Sequence, residues 1–174
     1  PANYKSKINL IQMGEDPKKI FHVGCPSIDI INKRKLNIDE KFIKKYSNYG
    51  VGMNSIDFKK KYIVVMQHPV TTEYNNSSFQ IKQTVKAVMN LKNIQIIWLW
   101  PNIDAGTNTI SKILRIFKEE KKPNNIRWQK NYTPEDYLKL IYNSKCIVGN
   151  SSSAIREGSF LGIPAVNIGN RQMN

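Results

Sequence analysis

The sequence lacks any uninterrupted run of about eighteen apolar residues, the length a helix needs to cross a bilayer. Its most apolar stretch, Ile94 to Trp100, is long enough only for a strand. A membrane-spanning helix is excluded on that ground, and a soluble protein with no membrane partner is expected. A secretory leader is not expected either. No charged, apolar and small-residue succession opens the chain, which starts at Pro1 without an initiator methionine, as expected of a cut or processed chain. Cysteine is scarce. Cys25 and Cys146 stand far apart in no metal-like or redox-like spacing, and their apolar strand-end settings predict two buried free thiols, suited to a reducing cytoplasm. No metal site is visible, and none is expected.

Acidic residues are also few. The 13 Asp and Glu stand against 27 Lys and Arg, for a formal charge of +14, a balance that raises nucleic acid as a partner because phosphate contacts supply most non-specific affinity for it. The lysines are dispersed, however, in Lys18-Lys19, Lys33 to Lys35, Lys44-Lys45, Lys59 to Lys61 and Lys121-Lys122, mostly on or beside helical segments and without interleaved aromatics. A solvated basic surface accounts for them, and no nucleic-acid partner is expected.

What is present is a regular alternation of strand and helix signals. The 174 residues suit one compact domain. After an irregular leader, Ile20 to Val23 reads as a strand and Pro26 to Lys33 as a helix. Asp39 to Asn48 repeats apolar residues at helical spacing, and the Gly- and Asn-bearing segment Tyr49 to Asp57 reads as a loop. Tyr62 to Met66 is a continuous β-branched run, the pattern of a strand covered on both faces. Ser77 to Leu91 follows on a helical period. The same pair recurs three times: strand Ile94 to Leu99 with helix Thr109 to Glu120, strand Ile126 to Trp128 with helix Pro134 to Tyr142, and strand Cys146 to Val148 with helix Ser153 to Leu161. Ala165 to Ile168 is the last strand. Such alternation predicts an α/β fold, a Rossmann-like doubly wound parallel sheet with helices on both faces.

In such sheets ligands bind beyond the carboxyl ends of strands, which selects the residues just after Met66, Leu99, Trp128 and Val148. Gln67-His68-Pro69 follows the first buried strand; the proline fixes an extended turn that projects His68 at the sheet edge, while a capping histidine is the plainer alternative. His22, at a strand start, reads as structural. Asn102 and Asp104, in the loop Pro101 to Gly106, can cap backbone amides or touch a ligand hydroxyl, and an Asx-turn explains them equally well. Gly149-Asn150-Ser151-Ser152-Ser153 offers amides and hydroxyls at a helix start, chemistry that binds a diphosphate without a full cation, with Glu157 placed to accept both hydroxyls of a ribose. An ordinary serine cap followed by a paired Arg156 and Glu157 is the alternative. No Gly-rich dinucleotide fingerprint follows the first strand, so NAD is not expected, nor any other cofactor.

Three segments in this order, Gln67-His68-Pro69-Val70-Thr71-Thr72-Glu73, Pro101-Asn102-Ile103-Asp104-Ala105-Gly106, and Gly149-Asn150-Ser151-Ser152 through Arg156-Glu157 to Gly169-Asn170-Arg171-Gln172, resemble the C-terminal domain of hydrolysing UDP-N-acetylglucosamine 2-epimerases. Gln12 to Asp16 and Phe21 to Pro26 resemble that family's crossover between domains. The resemblance implies a GT-B-type two-domain enzyme, with residues 1–19 as crossover from an absent N-terminal domain and 20–174 as the UDP-binding domain. Non-hydrolysing relatives typically carry His-Arg-Arg-Glu-Asn and Asp-Ser-Gly-Gly at the first and third segments, so the departures here favour the hydrolysing branch.

By position, the resemblance implies that Ser151 and Ser152 contact the diphosphate, Glu157 the ribose, Arg171 the nucleotide and Asn102 the uridine or phosphates. The backbone around Asn131 and Tyr132 would meet uracil, and His68 would serve catalysis at the breaking C1–O bond. The implied reaction removes the C2 proton, eliminates UDP to a glycal and adds water with inversion at C2, in sialic-acid-type sugar biosynthesis. The proton-transferring carboxylates would lie in the other domain, so this chain alone would be inactive, and the full-length enzyme is expected to be a cytoplasmic homo-oligomer. A GT-B glycosyltransferase nucleotide domain, a non-hydrolysing epimerase and a non-catalytic basic module are the competing readings.

Overall fold

A computed structural model of the chain describes residues 1–32 and 35–172. The chain divides into two compact units, Pro1–Lys35 and Leu36–Asn174, so residues 20–35, grouped above with the second domain, fall in the first unit. Among the described residues no helix is long and apolar enough to cross a membrane.

The first unit holds helix α1 (Tyr4–Gln12), a 3-10 turn (Pro17–Lys19) and helix α2 (Pro26–Asn32). The leader expected to be irregular is helical because Asn3 caps it, its Oδ1 accepting the Ser6 N–H at 2.8 Å and so satisfying one of the free amides of the first turn. The strand expected at Ile20 to Val23 does not form. With no partner strand to complete a ladder, Val23 N–H donates to the Pro1 carbonyl, and Phe21 and Val23 stay 70% and 71% exposed. Lys33, expected to end α2, lies outside the described residues. Cys25 is a free thiol, as expected, but half-buried rather than buried, because it precedes α2 instead of closing a strand.

The second unit opens with α3 (Glu40–Tyr46), capped by Asp39, whose Oδ1 accepts the Phe42 N–H at 2.8 Å. It continues through β1 (Val51–Gly52), β2 (Tyr62–Met66), α4 (Ser77–Met89), β3 (Gln95–Leu99), α5 (Thr107–Lys121), β4 (Ile126–Gln129), α6 (Pro134–Tyr142), β5 (Ile147–Gly149), α7 (Ser152–Ile155), α8 (Glu157–Phe160) and β6 (Ala165–Asn167). The sheet order is β1-β4-β3-β2-β5-β6. Every pairing is parallel except β1 with β4, which is antiparallel. The doubly wound parallel sheet is as expected. The edge strand β1 is not: two residues give no period to read, and Gly50 and Gly52 have the composition of a turn.

Alternate residues of the central strands serve the two faces. Ile63, Val65, Ile96, Trp98, Ile126 and Trp128 pack with Ile81 and Val88 of α4 and Ile110, Leu114 and Phe117 of α5. On the opposite face the Tyr62 hydroxyl donates to the Leu140 carbonyl of α6 at 2.7 Å, and an aromatic cluster joins Phe42 and Tyr46 of α3 to Phe58, Tyr62 and Tyr132. Both faces of β2 and β3 are therefore covered, which is why those segments read as unbroken apolar runs. Cys146 lies one residue before β5 and is half-buried, a second correction to the buried-thiol reading.

The winding reverses between β2 and β5. From β2 the chain runs through β3 to β4 on one side, and from β5 to β6 on the other. The carboxyl ends of these two neighbours form the crevice that doubly wound sheets use for ligands.

Candidate functional site

At that crevice Gly149 ends β5 at φ 146, and a Cβ there would meet the Met66 carbonyl oxygen at 1.7 Å. Only glycine lets β5 approach β2 this closely. One residue on, Asn150 takes over the ladder. Its Oδ1 accepts the His68 N–H at 2.7 Å and its Nδ2 donates to the His68 carbonyl at 2.8 Å. Asn150 is 2% exposed and His68 7%, so a side-chain amide extends the strand pairing past the strands themselves.

The histidine ring is fixed from the other side, where Asn102 N–H donates to His68 Nδ1 at 3.2 Å. Nδ1 is thus the acceptor, and the remaining proton belongs on Nε2. Burial, aided by the nearby Arg171 charge, holds the imidazole below its ordinary pKa, with Asp104 opposing. The ring is a neutral hydrogen-bond donor at neutral pH rather than an imidazolium. The titration is displaced downward because a charged ring would have to be desolvated beside an arginine.

The three sequence segments are tied together around this ring. Arg171 Nη1 donates to the Asn150 carbonyl at 3.1 Å, as does Gln172 Nε2 at 3.0 Å, and Arg171 Nη2 lies 4.0 Å from Asp104 Oδ2. Asn170 Nδ2 donates to Glu73 at 2.5 Å. Asp104 N–H donates to the Asn102 carbonyl at 3.0 Å, and the Thr107 hydroxyl donates to the same carbonyl at 2.5 Å, which sets the turn that aims Asn102 N–H.

A cleft of ≈ 300 Å³ opens here, lined by His68, Asn102, Asn131, Tyr132, Ser151, Ser152 and Glu157 among others. Seven of the eight residues singled out from the sequence meet in it. Arg171 lies behind, holding Asn150. Glu157 is 8% exposed, and its Oε2 has no hydrogen-bond partner. A buried acceptor left unpaired costs stability, on the order of 1–3 kcal/mol, and a ligand hydroxyl would remove that cost. The Ser151 hydroxyl accepts the Ser153 N–H of its own turn at 3.3 Å. Tyr137, whose hydroxyl burial keeps protonated, reaches Ser153 Oγ at 2.7 Å. The Asn131 carbonyl accepts from the Tyr49 hydroxyl at 3.3 Å. The Tyr132 ring stacks on Tyr46 at 4.3 Å and its hydroxyl donates to Gln129.

Sequence reasoning missed Asn150, Lys130, Tyr137 and Arg156. Lys130 stands two residues after Trp128, a strand end that the same criterion selects, although no role is read for it there, and Arg156 stands four residues after Ser152, one helical turn away. Arg156 does not pair with Glu157 but donates to Ser152 Oγ at 3.0 Å. The cleft therefore holds full cations, contrary to the expectation of a diphosphate site built from neutral donors.

Comparison with known proteins bears on what the cleft serves. The sequence model of the family described as UDP-N-acetylglucosamine 2-epimerase matches residues 1–174. The chain is 31% identical over 171 residues to the UDP-N,N'-diacetylbacillosamine 2-epimerase (hydrolyzing) of Legionella pneumophila, covering 98% of this chain and 42% of that protein. It is 33% identical over 179 residues to the UDP-N-acetylglucosamine 2-epimerase of Neisseria meningitidis, covering 99% and 42%. In three dimensions it superposes on the UDP-GlcNAc 2-epimerase of Methanocaldococcus jannaschii, solved in complex with UDP-GlcNAc and UDP, with a TM-score of 0.65 at 18% identity over 93% of this chain and 42% of that one. The chain spans about two-fifths of the length of these relatives. With its whole length matched, the chain belongs to the UDP-N-acetylglucosamine 2-epimerase family.

Proposed function

We propose that the cleft is the UDP site of a hydrolysing UDP-N-acetylglucosamine 2-epimerase, one half of a two-domain active site whose proton-transferring carboxylates lie outside these 174 residues. The observation that carries this reading is the buried Glu157 carboxylate, with an unpaired oxygen in a cleft it shares with His68 and the 151–152 serines. That arrangement suits a nucleoside diphosphate: two ribose hydroxyls on the carboxylate, phosphate oxygens on the serine loop, and a base against the Asn131 backbone. The hydrolysing branch is supported by His68-Pro69-Val70-Thr71-Thr72 and Asn150-Ser151-Ser152-Ser153 in the places where non-hydrolysing enzymes carry other residues, and by the relative of that name.

In the reaction proposed, a base removes the C2 proton of the UDP-acetamido sugar. The electron pair forms the C1=C2 bond and the C1–O bond breaks, releasing UDP and a glycal. Water then adds hydroxyl to C1 and a proton to C2 from the opposite face. Negative charge grows on the departing diphosphate, and donors already in position stabilise it without reorganising. His68 Nε2–H is such a donor, and its neutral state makes it a hydrogen-bond donor to the leaving oxygen rather than a source of a free proton.

Titration calorimetry of the chain with UDP, UMP and ADP tests the site. UDP is expected to bind in the micromolar to millimolar range and more tightly than ADP; equal affinity for all, or none for any, rejects the reading. In deuterated solvent the two-domain enzyme should release UDP with deuterium at C2 of the free sugar, whereas the chain alone should release none. A product lacking deuterium at C2 rejects the elimination.

A further inference from the structure

The helix expected over 153–161 is two four-residue pieces, α7 and α8, with Arg156 between them at φ −83, ψ −73. One turn of helix aligns few peptide dipoles, so the attraction a long helix offers to an anion is largely lost here. A polyphosphate held by the serine loop therefore needs charge from another source. The same break brings the Arg156 side chain to the cleft wall. Among the described residues this side chain has one hydrogen-bonded partner, Ser152 Oγ, which is uncharged. None of the ion pairs found among the described residues includes it, and the neighbouring Glu157 leaves Oε2 unpaired.

We propose that Arg156 is the cation that binds the diphosphate, and that the Ser152 hydroxyl acts on the ligand mainly by aiming it. This rests on the cleft being a UDP site. A guanidinium has five N–H donors in a planar fork. With one directed at Ser152, the others can take non-bridging oxygens of the two phosphates in the bidentate geometry that arginine favours. Lys130 also lines the cleft, but it adjoins Asn131 on the base side, whereas Arg156 is bonded to the serine loop itself. Placed there, Arg156 opposes the charge that grows as the C1–O bond breaks, and it distinguishes a diphosphate from a nucleoside.

The test compares UDP with uridine on the whole chain by calorimetry or NMR titration, for wild type, R156Q, R156K, S152A and the S152A/R156Q pair, each checked by thermal melting. R156Q is expected to weaken UDP about ten- to hundredfold and uridine less than about twofold. R156K, which keeps charge but not the fork, should fall between. If Ser152 acts through Arg156, the pair should bind UDP no more weakly than R156Q alone. Wild-type affinity for UDP should also fall steeply with added salt while that for uridine does not. UDP affinity unmoved by R156Q, or lost equally for uridine, overturns the assignment of Arg156 and leaves the UDP site standing. Failure of wild type to bind either ligand overturns the UDP site itself.

Discussion

Asn150 holds His68 by both of its backbone groups, through hydrogen bonds of 2.7 and 2.8 Å closed by one side-chain amide. The two strands end before this point, so among the described residues this amide is what pairs the backbone of His68, while Asn102 N–H holds its ring. Asn150→Ala leaves a buried N–H and a buried C=O unpaired, and unfolding in urea should show a loss of roughly 2–4 kcal/mol. Asn150→Asp keeps the acceptor for the His68 N–H but sets a second carboxylate oxygen against the His68 carbonyl in a buried place, so it should also destabilise. Equal, negligible losses for both would mean that the loop is held elsewhere.

Two glycines with positive φ should respond very differently to alanine. At Gly149 the added Cβ would sit 1.7 Å from the Met66 carbonyl oxygen, whereas at Gly162, φ 69, it meets nothing within 4 Å. Gly162→Ala should cost only the left-handed backbone penalty, about 1–2 kcal/mol. Gly149→Ala must separate β5 from β2, and it is expected to fold poorly or lose on the order of 4 kcal/mol or more. Similar melting temperatures for the two variants would contradict the close approach.

His68 should make stability depend on pH. Its folded pKa lies below the ordinary 6.5, so below that pH the unfolded chain binds a proton that the folded chain does not. Stability is therefore full above about 6.5 and declines as pH falls toward the folded pKa, by at most about 1.4 kcal/mol per unit. Asp136 acts in a separate, more acidic window: burial pushes its carboxyl up, but hydrogen bonds from Lys45 and the Tyr46 hydroxyl together outweigh that and hold it below 3.8, so its contribution is lost only as pH falls below that value. His68→Gln should flatten the first window and spare the second, as read by denaturant titrations across pH. An unchanged slope in His68→Gln would reject the assignment.

Ligand affinities separate the roles of Glu157 and the serines. Glu157→Gln weakens an interaction with ribose, which UDP and uridine share, and should reduce both by about tenfold or more. Ser151→Ala with Ser152→Ala should weaken UDP far more than uridine. The assignment fails if the serine pair affects the two ligands alike.

Much of this was legible because buried parallel strands announce themselves. Tyr62 to Met66 and Gln95 to Leu99 are apolar on both faces, and α6 carries Thr133 and Pro134 at its start, so its bounds were read as they stand. The strand-end rule then selected residues that do meet in the cleft. What escaped depended on partners distant in sequence. Ile20 to Val23 has strand-like residues but no strand beside it, and β1 pairs through backbone that two glycines do not advertise. The pairing of Asn150 with His68 spans 82 residues, and the break at Arg156 lies in an otherwise helical pattern, so neither leaves a local signal.

Arg127 has consequences beyond its own strand. From the sheet it extends into the segment around β1, where Nε donates to the Tyr49 carbonyl at 2.8 Å, Nη1 to Asn54 at 3.1 Å and also to Met53, and Nη2 to Gly50 at 3.1 Å and also to Asn48. Five carbonyls on one guanidinium clamp a two-residue strand that is too short to hold its place by ladder bonds alone. The clamp gathers the carbonyls that flank β1, whose own two residues remain exposed. At the opposite margin β6, among the described residues, pairs only with β5 and stays exposed along its length, Val166 by 53%. Of these two exposed margins, the one at β1 has its flanking carbonyls drawn onto Arg127, which leaves fewer of them for an added strand.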